Sequence, residues 1–223
     1  MHECKLSPRK LPRLTVGAVL LAAGNATRMG GRPKALLELD GTPLVLRQLA
    51  ALSDAGVDER VIVLGAHAER ILPVIGNLAL TVINPRPDDG QISSQRLGLG
   101  ALSANLDAVL VALVDQPLVG APEITSMICA FKTRPDGISV VVPRVAGEPG
   151  NPVIFSAAVR AEILKADVTM GCRQWRNENP AAVMNFETDN RAFILDVDTP
   201  QDIERFERDT GQTLRWPAGL PAR

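Results

Sequence analysis

The chain is predicted to fold as an α/β protein with a mostly parallel sheet covered by helices on both faces. Three observations predict this. Val16–Ala22 and Ala108–Val114 are continuous apolar runs, as strands buried on both faces require. Between them Leu44, Leu46, Leu49 and Leu52 recur at helical spacing, and Gly56 follows where a helix C-cap belongs. Apolar residues make up 46% of the chain but aromatics only 3%, with no Tyr, so the core has to be aliphatic.

Along the chain, strand-like and helix-like segments alternate. After the Val16–Ala22 strand we expect a helix over Pro43–Ala55, a strand over Arg60–Leu64, a short helix over His67–Ile75 and a strand over Ala79–Ile83. Asn84, Pro85, Pro87 and Gly90 then mark a loop. A helix over Ser93–Ala104, the Ala108–Val114 strand, a helix over Pro122–Phe131 and a strand over Ile138–Pro143 follow. Gly147–Pro152 carries turn signals; helices are expected near Ser156–Ala166 and Gly171–Asn179, and strands near Ala182–Phe186 and Ile194–Val197. Thr199 reads as the N-cap of a last helix, with Pro200 in its first turn. This order implies a three-layer, Rossmann-like architecture. One domain over residues 14–210 is expected, between a basic, Pro-containing disordered tail at 1–13 and a C-terminal extension at 211–223 that carries Trp216.

Composition removes several functional classes. Lys plus Arg total 24 and Asp plus Glu total 25, a net charge of -1 without the basic excess of a nucleic-acid binder. Scarce aromatics also argue against single-strand binding by base stacking. The longest apolar stretch, Val16 to Ala23, is too short to span a membrane, and no apolar h-region of a secretory signal precedes it. Cys4, Cys129 and Cys172 are far apart and form no CxxC pair, which speaks against a zinc or disulfide framework and for a reducing, cytoplasmic setting.

Ligands of such sheets bind beyond the carboxyl ends of the strands. The loops after Val16–Ala22, Ala79–Ile83, Ala108–Val114 and Ile194–Val197 are therefore the informative ones. The first runs from Leu21 to Lys34 as LAAGNATRMGGRPK. Gly24, Gly30 and Gly31 let backbone amides converge on an anion without Cβ obstruction, and Arg28 and Lys34 add positive charge suited to polyphosphate. The loop is neither GxxxxGK[ST] nor GxGxxG. Its glycines alone would serve a plain strand-to-helix turn equally well; the order of LAAG, Arg-Met-Gly and Lys is more specific.

Asp115 follows a fully apolar strand that delivers it to the ligand edge, where a carboxylate suits Mg²⁺ with phosphate oxygens and water. The alternative is a cap for the helix after Pro117. On a strand, Asp196 and Asp198 would point the same way. Ser93 and Ser94 stand where a helix begins, which fits both N-capping and ligand contact. His2 and His67 are read as surface or capping residues, and Trp175 as helix packing rather than a stacking platform.

Together these segments resemble a known family. The Leu21 to Lys34 loop looks like the signature of the MobA-like nucleotidyltransferases, closest to their molybdenum cofactor cytidylyltransferase branch. Gly90-Gln91-Ile92-Ser93-Ser94 through Gly98-Leu99, Asp115-Gln116-Pro117, and Asp196 through Asp202 are similar to further segments of that family in the same order. The resemblance spans about Val16 to Glu207.

It implies a GT-A-like fold and an Mg²⁺-dependent transfer of CMP from CTP to the phosphate of molybdopterin, with release of pyrophosphate. Arg28 and Lys34 would neutralise the triphosphate, and Leu21, Ala22, Ala23, Gly24, Gly30, Gly31, Ser94 and Gly98 would contact the nucleotide. Asp115 and Asp198 would hold Mg²⁺, with Asp115 counted as catalytic, and Asp202 would support the following helix turn. LAAG in place of the guanylyl branch's LAGG favours CTP over GTP.

Two segments depart from the family. Asn151 replaces the His of Gly-His-Pro, and Val168-Thr169 replaces the Gly-Asp of Gly-Asp-x-Gly-x-Arg, with Gly171 and Arg173 retained. The alternatives are a GTP-using molybdenum cofactor guanylyltransferase, a sugar-phosphate nucleotidyltransferase and, from another class, a non-catalytic cofactor-delivery factor serving a molybdoenzyme client.

Overall fold

The computed structural model describes residues 13–220. The expected tail lies outside these apart from Arg13, as do His2, Cys4 and the last three residues of the extension.

β1 (Val16–Ala22) is buried at every position because alternate side chains feed two different layers. β2 (Glu38–Leu39) and β3 (Thr42–Pro43) form a small hairpin before α1 (Leu44–Asp54). β4 (Glu59–Leu64), α2 (Ala68–Ile75), β5 (Leu80–Ile83), α3 (Gln91–Ala101) and β6 (Ala108–Leu113) continue the alternation. α4 (Ala121–Lys132), β7 (Val140–Val145), β8 (Glu148–Pro149), β9 (Val153–Ser156), α5 (Ala157–Lys165) and α6 (Cys172–Glu178) follow. β10 (Val183–Glu187), α7 (Pro200–Thr210) and β11 (Leu214–Arg215) complete the described chain.

The main sheet runs β10-β7-β9-β6-β1-β4-β5, with β8 paired to β7. β1 pairs in parallel with β4 and β6, β4 with β5, and β10 with β7. β9 is antiparallel to both β6 and β7. On one face Val16, Ala18 and Leu20 pack with Val45 and Leu49 of α1, Ile71 of α2, and Ile124 and Phe131 of α4. On the other, Val19 and Leu21 pack with Leu99 of α3, Val159 of α5 and Trp175 of α6. The mostly parallel, three-layer Rossmann-like sheet expected from the sequence is the observed one. No helix among the described residues is long and apolar enough to cross a membrane.

Some elements differ from expectation. Val153–Ser156 is a strand where only turn signals had been read upstream. Ile194–Val197 is not a strand. Its amides at Ile194 and Leu195 close a turn on the Arg191 carbonyl, and its side chains go into two core clusters rather than onto a sheet. The segment after residue 210, expected only as a C-terminal extension, packs on the domain: Leu214 is buried, and β11 pairs antiparallel with β2.

Arg160 of α5 closes the end of α3, donating from Nε to the Leu99 carbonyl at 2.9 Å, from Nη1 to Ser103 at 2.5 Å and from Nη2 to Leu102. These carbonyls have no partners within the helix, so the guanidinium satisfies them and offsets the negative end of the helix dipole. Arg160→Met is expected to lower unfolding stability by about 2 kcal/mol or more, since charged hydrogen bonds contribute about 1.5–3 kcal/mol each. An unchanged urea midpoint would refute the capping role.

Candidate active site

Leu21, Ala22, Ala23, Gly24, Lys34, Ser94 and Asp115 all line one cleft of about 220 Å³ at the carboxyl end of β1. The loop from β1 folds back through two short 3-10 turns, Thr27–Met29 and Lys34–Leu36. The Ala26 carbonyl accepts from the amides of Met29 at 2.9 Å and Gly31 at 3.0 Å. Gly30 and Gly31 adopt left-handed φ values of 64° and 73°, so they shape the turn through the backbone and do not line the cleft. Ala26 is also left-handed at φ 53°, which costs about 1–2 kcal/mol for a residue with a Cβ.

Several contacts brace this loop from behind. Met29 is buried in a third cluster with Leu37, Val197, Phe206 and Leu214. The Arg32 guanidinium lies 5.6 Å from the centre of the Trp216 ring, so Trp216 docks on the domain. Gly65, just after β4, comes so close that a Cβ there would stand 2.3 Å from the Ala23 carbonyl oxygen. His67 is buried, not a surface residue, and its Nε2 lies 3.1 Å from the Asn25 carbonyl.

The carboxylates arrive from two other loops. The Val197 amide donates to the Asp115 carbonyl at 2.9 Å, tying the segment before α7 to the end of β6. Lys34 Nζ donates to Asp115 Oδ2 and, at 2.5 Å, to Asp198 Oδ1. Arg28 Nη2 reaches Asp198 Oδ2 at 3.0 Å. Burial alone would lower the Lys34 pKa, but the two carboxylates outweigh it and raise it above the usual lysine value, so the ammonium is charged. Partial burial, Asp115 and Asp198 together push the Asp196 carboxyl up, marking it as a third acidic group nearby. Asp202 accepts from the amides of Thr199 at 2.8 Å and Asp198 at 3.1 Å, a capping box that orients the Asp198 loop.

Ser93 and Ser94 are not N-caps: α3 begins at Gln91, and no side chain caps it. Both hydroxyls accept from Asn84 Nδ2, at 2.8 and 2.9 Å. Asn84 is buried and ends the loop-facing side of β5; its place straight after a strand, at the head of a loop already marked as informative, was its signal. Gln116, which the sequence offered only as the middle of Asp115-Gln116-Pro117, is a second buried amide. Its Nε2 donates to the Phe193 carbonyl at 2.9 Å, and the Asn151 amide donates to the same oxygen at 2.9 Å. A Cβ at Gly150 would meet that oxygen at 2.3 Å, so glycine is required there. Trp175 is buried and donates to Glu162 at 2.7 Å, as packing. Burial pushes the Cys172 thiol up to about 12, which leaves it inert as a nucleophile.

Residues 18–183 match the MobA-like NTP transferase domain. The chain belongs to this family. The chain is 32% identical over 201 residues to a nicotine blue oxidoreductase of Paenarthrobacter nicotinovorans, covering 85% of this chain and 95% of the relative. It is 32% identical over 187 residues to a molybdenum cofactor guanylyltransferase of Burkholderia lata, covering 80% and 89%. The crystal structure of Rv0371c from Mycobacterium tuberculosis superposes with a TM-score of 0.75 at 25% identity, over 87% of this chain and 97% of that one. A manganese complex of the same protein gives 0.70 at 23% identity, over 88% and 100%.

The site of this MobA-like chain fits a divalent cation. The Lys34 ammonium already bridges Asp115 and Asp198, and Asp115 Oδ1 is buried without a hydrogen-bond partner. Two hard oxygen donors, one with an unused lone pair, suit an ion that completes its shell with phosphate and water. Gly98 lies apart from the cleft. A Cβ there would stand 2.4 Å from Val19 and 2.8 Å from Val63, so this glycine lets α3 lie on β1 and β4.

Gly65→Ala tests the close approach behind the loop that follows β1. It is expected to destabilise the protein by about 1–3 kcal/mol through overpacking. A urea midpoint equal to the parent's would show that the loop is not held from this side.

Proposed function

We propose that this MobA-like chain is an Mg²⁺-dependent nucleotidyltransferase that moves CMP from CTP to the phosphate of molybdopterin and releases pyrophosphate. The observation that carries the reading is the convergence of Lys34 and Arg28 with Asp115 and Asp198 beside a cleft built from Leu21 to Gly24. Two basic and two acidic groups suit a reaction in which two anions must meet. Asp115 and Asp198 would hold Mg²⁺, which when bound neutralises triphosphate charge. Lys34 and Arg28 exchange their carboxylate partners for phosphate oxygens, and the loop backbone fixes the pyrophosphate that leaves. A phosphate oxygen of the acceptor attacks the α-phosphorus in line as the bond to pyrophosphate breaks. Positioning and charge neutralisation supply the rate, and no protein nucleophile is needed.

Support for CTP comes from Ala23, which lines the cleft at the place where the guanylyl branch has a glycine. The guanylyltransferase relative favours GTP as the second reading. The Paenarthrobacter relative is named for another reaction class, an oxidoreductase, and the carboxylate–lysine cluster is the feature that favours transfer. Asn151, held over the Phe193 carbonyl in the chamber beside the cleft, is where acceptor choice is made.

Asp115→Ala is expected to keep the fold and to lower pyrophosphate release from CTP and molybdopterin by a factor of about 10²–10³, the scale of losing one preorganised electrostatic contact. Turnover like the parent's would sink the metal assignment. Melting temperatures with CTP, GTP, ATP and UTP plus Mg²⁺ rank the bases, because a ligand at a hundred times its Kd adds about 2.7 kcal/mol. The largest shift is expected with CTP; a shift with GTP alone would replace it.

A further inference from the structure

The trough does not end at the nucleotide cleft. A middle chamber shares Gln91 and Leu113 with the cleft and contains Asn151. An outer chamber in turn shares Pro149, Arg173 and Arg176 with the middle one. Asp115 lines only the first of these spaces and Arg144 only the last.

Three guanidinium groups meet in the outer chamber: Arg144 from β7, and Arg173 and Arg176 from α6. No carboxylate lines either chamber beyond the cleft. Among the described residues none of the three arginines forms an ion pair. Even Glu187, which stands opposite Arg144 in the β10–β7 register, makes none. Arg144 Nη1 donates to the Gly147 carbonyl at 2.6 Å, yet the Nε groups of Arg144 and Arg176 are buried without any partner.

A chain with a net charge of -1 has acidic groups to spare, so three unpaired arginines at one place are not a by-product of overall charge. Like charges converging around buried, unmet N–H donors raise the energy of the empty chamber. Guanidinium groups offer planar, paired donors that match tetrahedral and planar oxyanions. Burial first lowers the Arg176 pKa, and the neighbouring Arg173 and Arg144 add to this against an opposing effect of Cys172; the group is nonetheless charged at neutral pH.

We propose that Arg144, Arg173 and Arg176 form a subsite for an oxyanion of the phosphate, sulfate or carboxylate class at the outer end of the trough; molybdopterin has only the one phosphate that reacts, so an acceptor that fills this subsite is a phosphorylated molecule with a second anionic group and would take molybdopterin's place in the reading above. The word acceptor rests on the transferase reading; the anion site stands on the chamber alone. The acceptor would lie along the trough, its reacting end at Asp115 and its second charge held at the outer end. A neutral extension of the acceptor would leave the arginines unpaired, so the chamber selects for charge at that distance.

The test uses the full chain labelled with ¹⁵N and follows arginine Nε–H resonances during titration with sodium sulfate, then with inorganic phosphate, against sodium chloride at equal ionic strength. The Nε signals missing from Arg144→Met and Arg176→Met are expected to shift saturably with sulfate and phosphate but not with chloride. Arg173→Met, whose side chain is exposed and whose loss leaves the fold intact, should weaken sulfate by about fivefold, the scale of one charge-assisted contact. A flat or unsaturable response, or an equal response to chloride, overturns the site. Melting shifts with CTP or GTP plus Mg²⁺, measured in parallel, separate the two readings. Nucleotide binding without sulfate saturation removes the anion site and leaves the transferase. Sulfate saturation without any nucleotide response overturns its assignment to an acceptor.

Discussion

The ammonium of Lys34 lies between two carboxylates that are 81 and 164 residues away from it in the chain. Two acidic side chains held this close repel each other, and a largely buried site screens that repulsion poorly. A cation between them is therefore a condition for the arrangement, and Lys34 supplies it from the loop that follows β1. The same requirement makes the place suitable for a metal ion once phosphate oxygens offer Lys34 other partners. Arg28 extends the network outward on Asp198, where solvent weakens its contribution.

Most of the surrounding architecture keeps that juxtaposition in register. The Val197 to Asp115 backbone bond joins the two acidic loops directly. The third hydrophobic cluster joins the basic loop to both, since Met29, Leu118 and Val197 pack in one place. Gly65 and His67 press on the loop from the far side. Three separate crossovers thus deliver side chains to one edge of the sheet, and short backbone contacts set their spacing. The serine pair on α3 is fixed in the same way, through the buried Asn84 amide.

The two chambers beyond the cleft are built differently. Their frame is the Phe193 carbonyl, which takes donors from Gln116 and Asn151 and excludes any side chain at position 150. Beyond it the chambers are lined with amides and arginines rather than carboxylates. The trough is therefore electrically asymmetric, with acidic and basic groups paired at the reacting end and basic groups without ion-pair partners at the outer end. Such a gradient orients an anionic molecule lying along it.

Strands β1 and β6 were legible because their burial on both faces leaves an unbroken apolar run, and Asp115 was legible because an acidic residue straight after such a run has few structural uses. Helix α7 was legible from its cap residues. Ile194–Val197 looked like a strand because Ile194, Leu195 and Val197 are apolar, yet a run that feeds two packing clusters has the same composition as one that enters a sheet. β9 was hidden by its brevity and its Pro-Gly flank. Gly98 showed only that a small residue was needed, and nothing local distinguishes a glycine facing a ligand from one facing Val19.

The sequence by itself determined the layered α/β order, the loop chemistry at each strand end and the residues able to carry charge, because these depend on local periodicity and residue type. Which charges meet was decided only by the tertiary structure. Lys34 between Asp115 and Asp198, Asn84 beneath the serines, and the three arginines at the end of the trough are contacts between distant segments. Their geometry comes from crossover connections and backbone hydrogen bonds that no local pattern encodes. For Lys34 to Asp198 the pairing spans 164 residues, and only the packed sheet brings those ends together.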